Sequence, residues 1–207
     1  AEGINNKGFM TGYIVESNLF QVAALWKPVF DSSNLSPESP EHDSISQPQA
    51  ISDYWEHDLD YDYTTLPGPY DFIEIAAMNA QGHMAGYAAL SDGRLIPLRF
   101  GPSDTVTVLE VPGDASGIAE DISDNGLVAG YIIHPTGGRE SCYWDEKGMH
   151  LVNGFDNGSR ADAINNTGMI AGTGFGNDSR MIPFREAFGQ SIAPLLLLEG
   201  MDTGVVQ

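Results

Sequence analysis

The chain has 207 residues, a formal net charge of −20 at pH 7 and a mean hydropathy of −0.18. Because nucleic acids and anionic membrane surfaces would repel so acidic a protein, neither is expected as a partner. No apolar run is long enough to cross a membrane, so no membrane insertion of this segment is expected. The single cysteine, Cys142, excludes an intramolecular disulfide and predicts a buried free thiol.

One short pattern occurs four times along the chain. The copies read GINNKGFMTGY, AMNAQGHMAGY, DISDNGLVAGY and AINNTGMIAGT. Their second glycines are Gly12, Gly86, Gly130 and Gly172, which are separated by 74, 44 and 42 residues. A period a little above forty residues is typical of repeat architectures. We therefore expect residues 1–207 to form a single repeat domain, with an insertion at residues 29–68 in the first repeat.

Each copy predicts a β-hairpin followed by two further strands. Its first glycine follows Asn, Asp or another polar residue, which favours a turn with positive φ; these glycines are Gly8, Gly82, Gly126 and Gly168. The second glycine, inside a strand, indicates a bulge or a close backbone approach. Third strands ending in an aromatic residue are VAALW, LIPLRF, SCYW and MIPF, and fourth strands are expected near residues 148–152 and 191–195. The pattern predicts an all-β fold with one four-stranded antiparallel sheet per repeat.

The insertion changes composition along its length. Residues 31–49 are rich in Ser, Pro and acidic residues, as in an exposed loop. Aromatic residues then alternate with acids, and the candidate ligand-binding residues are Tyr54, Trp55, Tyr61 and Tyr63. Rings that stack on sugar faces, beside carboxylates that accept from hydroxyls, would suit a glycan. Alternatively, the rings fix the loop onto the sheets and the acids face water.

Three aspartates in the insertion are candidate metal ligands. Asp58, Asp60 and Asp62 stand at alternate positions, which can gather oxygen ligands around calcium. Tyr63 and Pro69 stand where an EF-hand would need Gly and Glu, so only a looser calcium site is expected. A strand with its carboxylates on one solvated face remains the alternative. The five histidines are scattered without zinc-ligand spacing.

The repeated A-x-x-I-N-N-x-G pattern, followed by an apolar triplet with glycine and an apolar strand ending in Trp or Phe, resembles the HAF-type extracellular repeat of bacterial secreted and surface proteins. The resemblance covers nearly the whole chain outside residues 29–68. It implies a β-propeller-like array in which each repeat is one four-stranded blade. It also implies a secreted or cell-surface location in a bacterium, and it indicates structure rather than activity.

The two ends of the sequence resemble each other, because residues 198–207 look like the start of a fifth copy. Three expectations follow: the sequence is a piece of a longer protein, its last strand completes the first blade and closes a ring, or that strand pairs with another molecule. The third case would give self-association through terminal strands.

The sequence contains no nucleophile elbow, phosphate loop or reactive cysteine motif, so we do not expect an enzyme. The expected function is a non-enzymatic extracellular repeat module for binding, adhesion or structural scaffolding, with a glycan or another surface protein as partner. Two alternatives stay open. One is a calcium-dependent carbohydrate-binding module or glycan hydrolase that uses the insertion, and the other is a self-assembling filament or array subunit.

Overall fold

The computed structural model describes residues 3–7, 9–15, 21–28, 61–65, 70, 72–101, 105–178, 180–187 and 193–195. Within these ranges the chain forms sixteen β-strands and no helix, which confirms the predicted all-β fold. The strands are grouped into four antiparallel sheets of four strands each, one sheet for each repeat. None of these residues belongs to a helix long and apolar enough to span a membrane.

The four strands of every sheet lie side by side in chain order. Sheet 1 contains β1 (Gly3–Ile4), β2 (Met10–Val15), β3 (Gln21–Pro28) and β4 (Tyr61–Thr65). Sheet 2 contains β5 (Phe72–Met78), β6 (Met84–Ala89), β7 (Leu95–Phe100) and β8 (Val106–Val108). Sheet 3 contains β9 (Ser116–Ile122), β10 (Val128–Ile133), β11 (Arg139–Asp145) and β12 (Gly148–Leu151). Sheet 4 contains β13 (Ser159–Ile164), β14 (Met169–Phe175), β15 (Met181–Ala187) and β16 (Ala193–Pro194).

Part of the predicted insertion belongs to the repeat itself. The strand β4 lies inside the range 29–68 and pairs with β3, so that Trp26 stands opposite Tyr63. Sheet 1 is therefore completed by residues that the sequence assigned to the insertion. The segment that connects β3 to β4 is therefore residues 29–60, shorter than the predicted insertion at residues 29–68.

The first turn of each repeat is stabilised by the side chain that opens it. In the second repeat, Asn79 Oδ1 accepts from the backbone nitrogens of Gln81 at 3.0 Å and His83 at 2.9 Å. The predicted positive φ is confirmed at three turn glycines, Gly82 (88°), Gly126 (83°) and Gly168 (77°). Gly8 lies outside the described residues. Asparagine recurs at the start of the turn because its side chain satisfies backbone donors that no strand partner reaches.

The second glycine of a repeat lies where the first two strands approach most closely. A Cβ atom at Gly130 would overlap the carbonyl oxygen of Ile118 on the neighbouring strand. Beside it, the pairing passes from Ala119 to Asp121 and leaves Glu120 as an extra, bulged residue. The same glycine and bulge recur in sheets 2 and 4. The sequence interpretation of these glycines is therefore confirmed for these three sheets.

In the described part of the chain, three hydrophobic clusters form the core, each between consecutive sheets. Between sheets 2 and 3, Ala85 and Leu109 pack with Ile122 and Trp144. The first strand of each later sheet contacts several strands of the sheet before it: β5 contacts β1, β2 and β3; β9 contacts β5, β6 and β7; β13 contacts β9, β10 and β11. The sheets are thus stacked face on face in repeat order.

The face of sheet 1 that includes Ile4, which we call its starting face, is more exposed than the corresponding faces of sheets 3 and 4. Ile122 and Ile164 end the first strands of sheets 3 and 4 and are only 5% and 7% exposed. Ile4 occupies the same repeat position and is 70% exposed, since no other described sheet packs over it.

Candidate functional site

The residues proposed from the sequence as ligands lie mostly beyond what the structure describes. Tyr54, Trp55, Asp58 and Asp60 fall in the range 29–60, outside the described residues. The other three predicted residues, Tyr61, Asp62 and Tyr63, belong to β4, where their backbones pair with Pro28, Lys27 and Trp26. The backbones of these three residues are therefore placed in a strand, while their side chains lie outside what the structure describes. The glycan and calcium assignments stay predictions.

The described residues instead bring the four first turns of the repeats together. These turns surround one cavity of about 370 Å³, which we call the turn cavity. Its lining includes Asn5, Asn79, Ser123 and Asn166, one residue from each repeat. Turn residues that are far apart in sequence thus lie together along one side of the stacked sheets.

Side-chain amides connect each turn to the next. Asn5 Nδ2 donates to the carbonyl oxygen of Asn79 at 3.1 Å, and Asn79 Nδ2 donates to that of Ser123 at 3.0 Å. Ser123, at the same position of the third turn, has no side-chain amide and cannot make the equivalent bond to the fourth turn. In the third repeat Asn125 Nδ2 donates instead to the carbonyl oxygen of Asn166, also at 3.1 Å. Every junction between consecutive described turns therefore has a cross-repeat hydrogen bond.

Asp124 connects three turns at once. Its Oδ1 accepts from the backbone nitrogen of Ala80 at 2.9 Å, and its Oδ2 accepts from Asn166 Nδ2 at 2.8 Å. Its own backbone nitrogen donates to Asn166 Oδ1 at 2.7 Å. These hydrogen bonds, led by that from Ala80, hold the pKa of the Asp124 carboxyl below its usual range. Asp124 is therefore ionised, and its hydrogen bonds join the second, third and fourth turns.

A second cavity, of about 360 Å³, lies against the first strand of sheet 2; we call it the carboxylate cavity. Glu74 and Glu120 line it together with Thr11, and Ile4 and Met78 border both this cavity and the turn cavity. Glu120 is the bulged residue of sheet 3, and the bulge turns a strand residue toward this space.

The carboxylates of this region affect each other. Burial, followed by the charge of Asp162, raises the pKa of Glu120. Asp162 is the bulged residue of sheet 4; burial raises its pKa, and Arg160, 2.7 Å from its Oδ1, opposes that change. Tyr87 donates its hydroxyl to Glu74 Oε2 at 2.5 Å, and burial together with this bond raises the tyrosine pKa. The region presents hydrogen-bond acceptors in a partly dehydrated setting.

The arrangement suits recognition of donors, such as hydroxyl groups or cations, by fixed carboxylates and turn carbonyls. Among the described residues, no three His, Cys, Asp or Glu side chains are grouped closely enough to hold a metal ion. The bulge carboxylates were not singled out by sequence reasoning. A signal was present, since Glu120 and Asp162 each stand ten residues before the second glycine of their repeat.

Comparison with known proteins adds no relative. No protein-family model matches the sequence, and a search of curated proteins found no significant match. The resemblance to HAF-type repeats therefore stays a prediction.

Proposed function

We propose that the chain is a non-enzymatic extracytoplasmic repeat module, with its four sheets arranged as propeller-like blades, that serves binding, adhesion or scaffolding. The observation that carries this proposal is the hydrogen-bonded set of first turns, in which each repeat is joined to the next by side chains. Such joints recur with the repeat and build one rigid surface from four similar units.

The propeller-like arrangement is supported by two features. Each later sheet packs its first strand against the sheet before it, and the first turns of all four repeats border one cavity. In propellers, sheets placed around a common axis bring equivalent positions together in this way.

The proposed binding role is tested with polysaccharides. Immobilised neutral and acidic polysaccharides are incubated with the intact protein, with and without calcium, and both retained protein and released reducing ends are measured. A binding module is retained without releasing reducing ends. Release of reducing ends that grows with time and protein concentration would favour the glycan hydrolase and overturn the non-enzymatic proposal.

The contribution of the insertion is tested by point substitution rather than by deletion. Removing residues 52–66 would also remove β4 and disrupt sheet 1. Replacing Tyr54 and Trp55 with alanine leaves that strand intact. Under the calcium-dependent carbohydrate-binding alternative, this double substitution and chelation of calcium should each abolish retention.

Self-association is a second candidate function, favoured by the exposure of Ile4. Ile122 and Ile164, at the equivalent positions of sheets 3 and 4, are covered by a neighbouring sheet. The exposed starting face of sheet 1, around Ile4, is therefore suited to pack against a sheet of a second copy. Light scattering over a range of protein concentrations would show growing oligomers, and Ile4→Glu would abolish them. The matched control is Val108→Glu, since Val108 is also exposed, at 51%, but lies on the fourth strand of sheet 2. A monomer at all concentrations would contradict this role.

A further inference from the structure

The junction between sheets 2 and 3 contains a polar groove of about 330 Å³, which shares Asp124 with the turn cavity and no lining residue with the carboxylate cavity. We call it the 2/3 groove and define it by His83, Arg99, Thr105, Thr107, Asp124 and Asn125. Its volume is at the lower end of the range for small-molecule sites, roughly 300–1,000 Å³.

The repeat itself provides a comparison for this groove. His83 stands three residues before the second glycine of its repeat, where the other copies have Phe9, Leu127 and Met169. Phe9 and Leu127 pack against the hydrophobic clusters between sheets. A position used elsewhere for packing is thus occupied by a polar ring in the second repeat.

A second residue of the groove, Arg99, also differs from its counterpart in another repeat. Arg99 on β7 stands opposite Thr107. The corresponding pair in sheet 3 is Tyr143 and His150, whose rings stack with centroids 4.7 Å apart. Tyr143 also packs against the cluster between sheets 3 and 4. Aromatic side chains therefore occupy that junction, whereas the 2/3 groove has a cation and a hydroxyl.

Two side chains of the groove, Arg99 and His83, have nitrogens without a strong hydrogen bond to any described residue. Among the described residues, Arg99 pairs with no carboxylate, and its hydrogen bond there is a long one, 3.4 Å from Nη1 to the carbonyl oxygen of Gly126. His83 Nδ1 is buried and has no hydrogen-bond partner among the described residues. The oxygens of Asp124 are already occupied by donors from the neighbouring turns. The Arg99 guanidinium therefore keeps N–H donors that a ligand in the groove can use.

Gly101 makes room for one of the hydroxyls. A Cβ atom at this position would overlap Thr105 Oγ1. With glycine there, the Thr105 side chain lies beside the groove together with Thr107.

We propose that the 2/3 groove binds a sugar acid, the hexuronate of an acidic glycan or the free monosaccharide. The planar guanidinium of Arg99 matches a carboxylate and forms paired hydrogen bonds with it. The groove combines one guanidinium with the ionised Asp124 in a chain of charge −20, so it favours a single negative charge over a dianion such as phosphate. His83, Thr105 and Thr107 provide hydrogen-bonding groups for the ring hydroxyls. The site does not depend on the insertion or on closure of a ring.

The experiment is calorimetric titration of the full chain, at low ionic strength, with glucuronate, glucose, acetate and inorganic phosphate. Glucuronate should bind, while the other three should bind at least tenfold more weakly. Equal binding of glucose or acetate would overturn the proposal, as would preference for phosphate. A tetrameric uronate that binds more tightly than the monomer identifies the polymer as the source, and equal affinities identify the free acid.

Variants locate the binding. Arg99→Gln should weaken glucuronate binding at least tenfold, and His83→Leu, which introduces the residue of the third repeat, should weaken it as well. Arg94→Gln is the matched control because Arg94 is already paired with Asp92 at 2.8 Å and lies outside the groove. Unchanged affinity in Arg99→Gln, or an equal loss in Arg94→Gln, would overturn the assignment. If Arg99→Gln fails to fold, glucuronate-induced chemical shifts of the wild-type protein must fall on His83 and Gly126, or the site is wrong.

Discussion

The side-chain nitrogen of Asn79 donates to the backbone oxygen of Ser123, 44 residues away, at 3.0 Å. The oxygen of the same side chain accepts from two backbone nitrogens of its own turn. One residue therefore shapes a turn and joins two repeats, and Asn79 is only 4% exposed. Replacing it with alanine leaves buried groups unsatisfied, so we expect Asn79→Ala to lower the free energy of unfolding by about 1–3 kcal/mol.

Urea denaturation monitored by tryptophan fluorescence checks this expectation. The matched control is Asn6→Ala, in the first repeat, since Asn6 is an exposed turn residue without a hydrogen bond from its side chain to a described residue. We expect the control to stay close to the wild-type protein. Equal stability of the two variants would show that the junction between repeats does not depend on the asparagine.

The second glycines should not tolerate any side chain. At Gly130 a Cβ atom would overlap a backbone oxygen, and backbone cannot move aside as a side chain can. We expect Gly130→Ala to destabilise the protein by about 1–3 kcal/mol or more. Gly138→Ala is the control, because its Cβ would meet only a side-chain atom of His134 at 4.0 Å. A neutral Gly130→Ala in thermal unfolding would contradict the close approach of β9 and β10.

The aromatic end of the third strand should contribute to the core. Trp144 is 2% exposed, packs in the cluster between sheets 2 and 3, and donates its indole nitrogen to the carbonyl oxygen of Glu110 at 2.7 Å. Trp144→Ala should cost about 3–5 kcal/mol in chemical denaturation. A loss below about 1 kcal/mol would place the ring at the surface. Leu151→Ala, which truncates an exposed side chain of sheet 3, serves as the comparison.

The fold was largely predictable because its signals are local and repeated. Turn glycines such as Gly126 and close-contact glycines such as Gly130 follow from backbone sterics alone, and repetition identified them with few ambiguities. The end of the insertion was harder to place, since a strand such as β4 is identified only by its pairing with β3. The 2/3 groove was missed because His83 and Arg99 lie sixteen residues apart and meet beside the turn of the next repeat.

The bulge carboxylates predict a pH dependence of stability. The pKa of Glu120 is raised by burial and by the charge of Asp162, so its ionisation opposes folding. The associated stability is fully present below the ordinary glutamate pKa and is lost as the pH rises through the raised folded value. Glu120→Gln should therefore be more stable than the wild-type protein at pH 7, and the difference should shrink toward about pH 4.

Subtracting the two stability profiles, measured by urea denaturation across this pH range, isolates Glu120. Groups that are not coupled to Glu120, such as the oppositely shifted Asp124, contribute equally to both proteins and cancel, whereas the coupling to Asp162 remains part of the difference. A difference of the opposite sign at pH 7 would mean that Glu120 is stabilised as a charged group, against its burial between the sheets.

The distance between the first and last turns shows whether the four repeats surround a common region as propeller-like blades. Spin labels at Lys7→Cys and Thr167→Cys report this distance by pulsed electron resonance, and labels at Gln81→Cys and Asn125→Cys measure a neighbouring pair of turns. The native Cys142 is fully buried and burial raises its thiol pKa, so it should stay unlabelled. For propeller-like blades we expect a narrow distance distribution between the first and last turns, close to that of the neighbouring pair and independent of protein concentration. A much longer or broad distribution would contradict it and indicate an open array.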